Sequence, residues 1–389
     1  MLIRHKKNII ILLLITGFIQ NPVNGTIRIG LVSLDNPLSL TVKICSGQYT
    51  IMTGGKSFTL NEHDNILVNS AGTKVLVTTP FKNSFLADSV VLHSTDPHAY
   101  FSISNNLSQT FRLREYDGKL VIKPAGSCLL AINEIDKEKY LMGVVQAEVG
   151  TKGNKEYFKT QALLARTYLY MHVNRHIHEG YNICDDVHCQ AYHGLSSVKL
   201  INEAVEETND MVLVNEDSML IAAPFHSNCG GQTESSENVW LSALPHISNV
   251  TDPYCAFSRN ARWTKEIGLE EWISYLSRYG YQHHSKDELA FEQLSRELNY
   301  LAGSFSYPLA SIREELGLKS AFFSVYPDED TVSLEGRGYG HGVGLCQEGA
   351  RVMSERGFEM QEIIGFYFRD LHILDIDDVN PGFIITSTF

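Results

Sequence analysis

Three groups of residues in this sequence carry side chains able to do chemistry. The first is Glu148, which continues the apolar stripe of Tyr140, Leu141, Val144 and Val145 along a predicted helix. A carboxylate on an apolar face is costly to bury ionised, so its pKa should rise and suit it to proton transfer near neutral pH. The alternative is a helix that has ended by Glu148, leaving the side chain in water. The second group is Cys184-Asp-Asp-Val-His188-Cys189, with His178 upstream and His193 downstream. Thiolates and imidazoles match zinc, and four of them would close a tetrahedral site, although the spacing is not that of a common zinc finger. A Cys184–Cys189 disulfide with surface histidines is the other reading, and His176 reads as solvated. The third is Gly336-Arg-Gly-Tyr-Gly-His341-Gly-Val-Gly344, with glycine at every second position. That pattern calls for close backbone approach or positive φ, so something packs or binds there. His341 is either a ligand-site group or a buried, hydrogen-bonded histidine. Ser227-Asn-Cys-Gly230-Gly231-Gln-Thr233 either lines a cleft or makes a turn.

Several functions are excluded on the same residues. The glycine run fits no G-x-G-x-x-G register and has no P-loop lysine after it, so a nucleotide site is not supported. Ser227 is not in a G-x-S-x-G elbow, which argues against a serine hydrolase. A formal net charge of −13, spread over 389 residues, offers no footprint for a phosphate backbone, and nucleic acid is not expected as a partner.

Elements must hold these groups. From Thr26 to Ile122, short alternating runs such as Ile27-Ile29-Leu31 and Leu120-Val121-Ile122 are separated by turn signals such as Asp117-Gly118, a β-rich pattern. After Leu129 the pattern becomes helical, first in a short helix after Asn133-Glu-Ile-Asp136 that carries Tyr140, Leu141, Val144 and Val145, and then from Lys155 to about Arg175, where Phe158, Ala162, Ala165 and Leu169 form a stripe with Arg166 beside it. Residues 269–279 and 286–301 also read as helices, 321–334 as a hairpin, and further helices follow Gly344 and Phe358, with a last strand at Phe383–Ile385. The class expected is α+β, with a β-rich portion over 26–122 joined to a mixed α+β catalytic portion over 123–389. Residues 1–25 have the basic, apolar, polar layout of a secretory signal peptide, with cleavage expected before Thr26. The product would be exported to the periplasm or cell envelope; an uncleaved segment acting as a membrane anchor is the alternative. Seven cysteines are too few and too odd for a disulfide framework. Cys229 and Cys255, on either side of a loop-rich segment, are the pair expected to be oxidised in such a compartment.

In combination, Tyr140-Leu-Met-Gly-Val-Val-Gln-Ala-Glu148, Lys159-Thr-Gln-Ala-Leu-Leu-Ala-Arg-Thr167, His226-Ser-Asn-Cys-Gly-Gly-Gln-Thr233 and the stretch from Gly336 to Ala350 resemble the SpoIID family, which includes LytB-type amidase enhancers. The resemblance covers about residues 120 to 375. It implies a lytic transglycosylase that cuts peptidoglycan glycan strands between N-acetylmuramic acid and N-acetylglucosamine, with Glu148 catalytic and Arg166 in the site. It implies zinc on His178, Cys184, His188 and Cys189, and substrate contacts from Ser227, Gly230, Gly231, His341 and Gln347. Cys346 stands where many relatives have serine. Two rival functions follow: a non-catalytic glycan-binding activator of a cell-wall amidase, and a zinc hydrolase, which four protein ligands disfavour because they leave no open position.

Overall fold

The computed structural model describes residues 25–106, 113–240, 243–283 and 285–380. Residues 1–24 of the proposed signal peptide and the strand expected at Phe383–Ile385 lie outside them. The fold is α+β. A seven-stranded sheet runs in the order 183–184, 26–30, 128–136, 119–125, 90–93, 49–53, 56–60, and a six-stranded sheet in the order 114–117, 100–105, 39–46, 65–71, 74–78, 84–87. Alternate residues such as Leu40, Val42 and Ile44 in one sheet and Leu120 and Ile122 in the other are fully buried, as a period of two requires when one face meets a core.

Eight helices follow the chain among the described residues: α1 Lys137–Val149, α2 Lys155–His172, α3 Lys199–Glu207, α4 Glu237–Trp240, α5 Leu269–Ser277, α6 Leu309–Glu315, α7 Gln347–Glu355 and α8 Met360–Tyr367. Helix α1 starts directly off strand Cys128–Asp136, because the Asp136 carboxylate accepts the free N–H groups of Glu138 and Lys139. It ends at Gly150, whose φ of 72° a side chain would resist. Tyr140, Leu141, Val144 and Val145 face the core as the stripe predicts.

Both sheets and helices α1, α2, α3, α7 and α8 share one apolar core, which crosses residue 122 without a break. Residue 122 itself lies inside the paired strands 119–125 and 128–136. A second, separate core is built between Trp263 and Leu334 from a three-stranded sheet (262–268, 331–337, 323–327), α5, α6 and the hairpin Asn299–Ala302/Phe305–Pro308, around the buried Trp272 and Tyr300. The hairpin read at 321–334 is present as Phe323–Pro327 paired with Thr331–Arg337. The helix read over 286–301 is not: only a 3-10 turn at Lys286–Leu289 forms, and 299–302 is a strand. Leu294, Leu298 and Leu301 have helix-like spacing but are exposed, while Tyr300 is fully buried with its hydroxyl on the Leu289 carbonyl at 2.7 Å, so strand alternation decides that segment. No helix among the described residues is long and apolar enough to cross a membrane.

Candidate active site

Glu148 sits in the last turn of α1 and lines a cavity of about 420 Å³. The opposite walls come from the end of α2 and its following loop (Tyr168, His172, Arg175, His188, Cys189, Gln190) and from Pro224, Phe225, Trp240 and His341. The Glu148 carboxylate accepts the Ala191 N–H at 2.9 Å. Burial raises its pKa above the ordinary carboxylate value, and the Ala191 hydrogen bond offsets part of that rise. Glu148 is the sole carboxylate among the described residues lining this cavity.

The loop carrying Ala191 reaches α1 only because residue 143 is glycine. A Cβ there would stand 2.2 Å from the Gly194 carbonyl oxygen and 2.6 Å from the Tyr192 ring. Tyr192 is fully buried and donates to Asn133 Oδ1 at 3.2 Å, which pins the loop to the sheet. At its other end the loop is a sheet strand: Ile183–Cys184 pairs in parallel with Ile29–Gly30.

Between those anchors the structure assembles His176, Cys184, His188 and Cys189, with one ligand atom of each within 4.8 Å of the others. His188 Nδ1 lies 3.8 Å from each sulfur. His176, read as solvated, takes the place given to His178, which is exposed. The physical reason is that His176 Nδ1 donates to the Glu179 carboxylate at 2.5 Å, leaving a buried Nε2 with no hydrogen-bond partner, aimed into the cluster. A carboxylate behind an imidazole whose other nitrogen is unsatisfied is the arrangement metal-bound histidines have. The Cys184 thiol is held down to about 5 by the hydrogen bond from Cys189, so a thiolate is available. The donor set fits zinc, and four protein ligands make the site a closed one.

Arg166 is not beside Glu148. It is completely buried and forks onto both Glu138 carboxylate oxygens at 3.2 and 2.6 Å, while also donating to the Val205 and Met211 carbonyls. Glu138 opens α1 and Glu148 closes it, ten residues or ~15 Å along the axis. Arg166 therefore clamps α1, α2 and α3 together. The cation at the cavity is Arg175, which donates to the Tyr168 hydroxyl at 2.9 Å and to the His188 carbonyl at 3.0 Å. Its sequence signal was its place in the series 168, 172, 175, one helical face.

Of the residues assigned to substrate, only His341 lines the cavity. Its Nδ1 accepts the Val343 N–H at 3.0 Å, so Nε2 carries the proton that goes to the Phe225 carbonyl, also at 3.0 Å. Burial lowers its pKa to about 4 and keeps it neutral. Ser227, Gly230, Gly231 and Gln347 lie away from the cavity. Ser227 Oγ accepts from Asn260, Gln347 reaches Gln161 on α2, and the Gly230 backbone packs on Arg337, where a Cβ would come within 2.7 Å. The glycine run needs both properties expected of it: Gly338 has φ of 81° and lies where a Cβ would be 2.5 Å from the Asn228 carbonyl oxygen. Cys229 and Cys255, expected as a disulfide, have free thiols.

Comparison with known proteins bears on this segment. A family model described as SpoIID, stage II sporulation protein, matches residues 126–215. The chain is 28% identical over 280 residues to an uncharacterized protein of Brachyspira hyodysenteriae, covering 69% of this chain and 75% of that protein. It is 28% identical over 264 residues to stage II sporulation protein D of Bacillus subtilis, covering 64% of this chain and 77% of that one. The amidase enhancer of Bacillus subtilis is 28% identical over 283 residues, 59% of this chain and 39% of the enhancer. The stretch that resembles the SpoIID family, residues 126–215, holds α1 with Glu148 and the whole thiol–imidazole loop.

Proposed function

We propose that this protein acts on the cell wall as a peptidoglycan lytic transglycosylase, with Glu148 as its single acid and base. One observation carries the reading: the cavity has one carboxylate, raised in pKa by burial, among aromatic and apolar walls. Glycoside hydrolysis by the usual route needs two carboxylates, one of them to activate water or to act as nucleophile. Intramolecular transglycosylation needs one. Protonated Glu148 gives its proton to the glycosidic oxygen as the bond to the muramic anomeric carbon breaks. The resulting carboxylate then takes the proton of the muramic hydroxymethyl group, whose oxygen bonds to that anomeric carbon and closes an anhydro ring. Glu148 ends as it began, and no water is consumed. Because the nucleophile is part of the substrate, proximity replaces a second protein group. Trp240 and Tyr168 line the cavity with aromatic rings, a surface that suits the apolar faces of sugar rings, and Arg175 supplies a cation for a lactyl or peptide carboxylate.

Zinc at His176, Cys184, His188 and Cys189 would supply local rigidity. Cys189 is two residues from Ala191, so holding it fixes the N–H that orients Glu148. His341 has both ring nitrogens committed to the backbone and holds the cavity wall.

The test is mass spectrometry of glycan strands incubated with the protein. Anhydromuramic ends are expected, and their absence from both stem-peptide-free and intact strands would refute the reading. The name of the amidase-enhancer relative favours a second reading, in which the same cavity binds glycan and the protein activates a separate cell-wall amidase. That predicts glycan retention and amidase stimulation which survive Glu148→Gln, whereas transglycosylation does not.

A further inference from the structure

The thiols of Cys229, Cys255 and Cys346 converge with the Asp252 carboxylate at a second place, behind the glycine run. All four side chains are buried, each at 0% exposure, and one ligand atom of each lies within 4.8 Å of the others. Cys229 Sγ is 3.3 Å from Cys255 Sγ and 3.2 Å from Asp252 Oδ2. Sulfurs on a tetrahedral zinc at ~2.3 Å stand ~3.8 Å apart, so a shift of a few tenths of an ångström would seat an ion.

The surroundings suit thiolates. The N–H groups of Cys229 and Gly349 both donate to Cys346 Sγ at 3.3 Å, the second because Cys346 caps the nine-residue α7. The Asp252 oxygens take the Tyr254 N–H and the Tyr367 hydroxyl at 2.8 and 2.9 Å. Position 349 is glycine, and a Cβ there would be 2.4 Å from Asp252 Oδ2, so the helix is cut back to admit the carboxylate. The Arg296 guanidinium donates to the Cys229 carbonyl at 2.8 Å and leaves a positive charge beside the cluster. A disulfide between Cys229 and Cys255 would take up two of the four ligand atoms and leave the Asp252 carboxylate buried beside the Cys346 thiol with no cation, which is costly for an ionised group. One divalent cation satisfies all four.

We infer that Cys229, Asp252, Cys255 and Cys346 form a second metal site, a closed three-thiolate, one-carboxylate zinc centre distinct from the thiol–imidazole cluster beside Glu148. Binding displaces the thiol protons and ties three chain segments together: the turn after Phe225–His226, the loop at 252–255 and the start of α7. Its role is to hold the glycine run, and with it His341, in place.

The experiment uses the full chain, purified from the cell envelope without chelator or reductant. Zinc by elemental analysis should be about two ions per chain, falling by one in Cys346→Ser and by one in Cys184→Ser, independently. In the Cys184→Ser, Cys189→Ser background one ion should remain, and its replacement by cobalt(II) should give the intense near-ultraviolet sulfur-to-metal absorption of a multi-thiolate site. That background leaves the second cluster intact, so it decides the matter even where Cys346→Ser fails to fold. No metal remaining in that background overturns the inference. So does a non-reduced peptide map in which Cys229 and Cys255 are cross-linked.

Discussion

At the scale of single residues, the carboxyl of Glu148 and the two arginines separate chemistry from architecture. Glu148→Gln should lower anhydromuramic product formation by ~10²–10⁴-fold while folding and glycan retention persist, read by product mass spectrometry and a pull-down on the same preparations. Its effect on stability has a definite sign. Burial raises the folded-state pKa of Glu148, so the native state binds the extra proton, and its stability falls as pH rises from the ordinary glutamate value of ~4.3 through the raised one. The glutamine variant lacks that loss. Its melting temperature relative to wild type should climb across that window and then level off; a difference independent of pH would place the carboxyl in water. Arg166→Met should cost ~3 kcal/mol or more in denaturant unfolding, since it leaves Glu138 without its partner in a buried clamp. Arg175→Gln, on an exposed side chain, should change stability by no more than ~0.5 kcal/mol and act on glycan turnover instead. The opposite pattern would return Arg166 to the site.

At the scale of elements, what holds Glu148 is a loop pressed against a helix. Gly143→Ala inserts a methyl group where 2.2 Å is available, so the 190–194 loop must move. A loss of ~1–3 kcal/mol together with a loss of turnover is expected, and a crystal structure of the variant should show Ala191 displaced from Glu148. Elements with strong periodicity were legible from the chain alone: α1, α2, the 323–337 hairpin and the position of Glu148 on its stripe. The sequence misled where spacing and packing disagree. Residues 286–301 have helical spacing but pack as a turn and a strand around Tyr300. Arg166 and Arg175 are both on or near α2, and only the tertiary contact with Glu138 shows which one faces inward. His176 and His178 are two residues apart, and their roles are set by the side chain of Glu179, which no pattern of ligand spacing records. Of the three-thiol cluster, Cys229 and Cys255 were paired from the sequence, as a disulfide, but Cys346 lies 117 positions from Cys229 and joins them only in the fold.

At the scale of the molecule, the two apolar cores predict two unfolding events. Calorimetry should resolve a transition for the segment around Trp272 and Tyr300 from that of the larger core, and Trp272→Ala should lower the first while leaving the second within a degree or two. If zinc is bound at His176, Cys184, His188 and Cys189, a chelator should destabilise the larger core, because Cys184 belongs to one of its sheet strands. That strand has a consequence in time. Thr26–Gly30 is hydrogen-bonded on one side to residues 132–136 and on the other to 183–184. The first strand among the described residues therefore has no partner until more than a hundred further residues have emerged, and no second partner until about fifty more have followed. If the chain is exported end-on through a narrow channel, that strand stays open throughout and the sheet closes on the far side, once the loop carrying Cys184 and His188 has arrived.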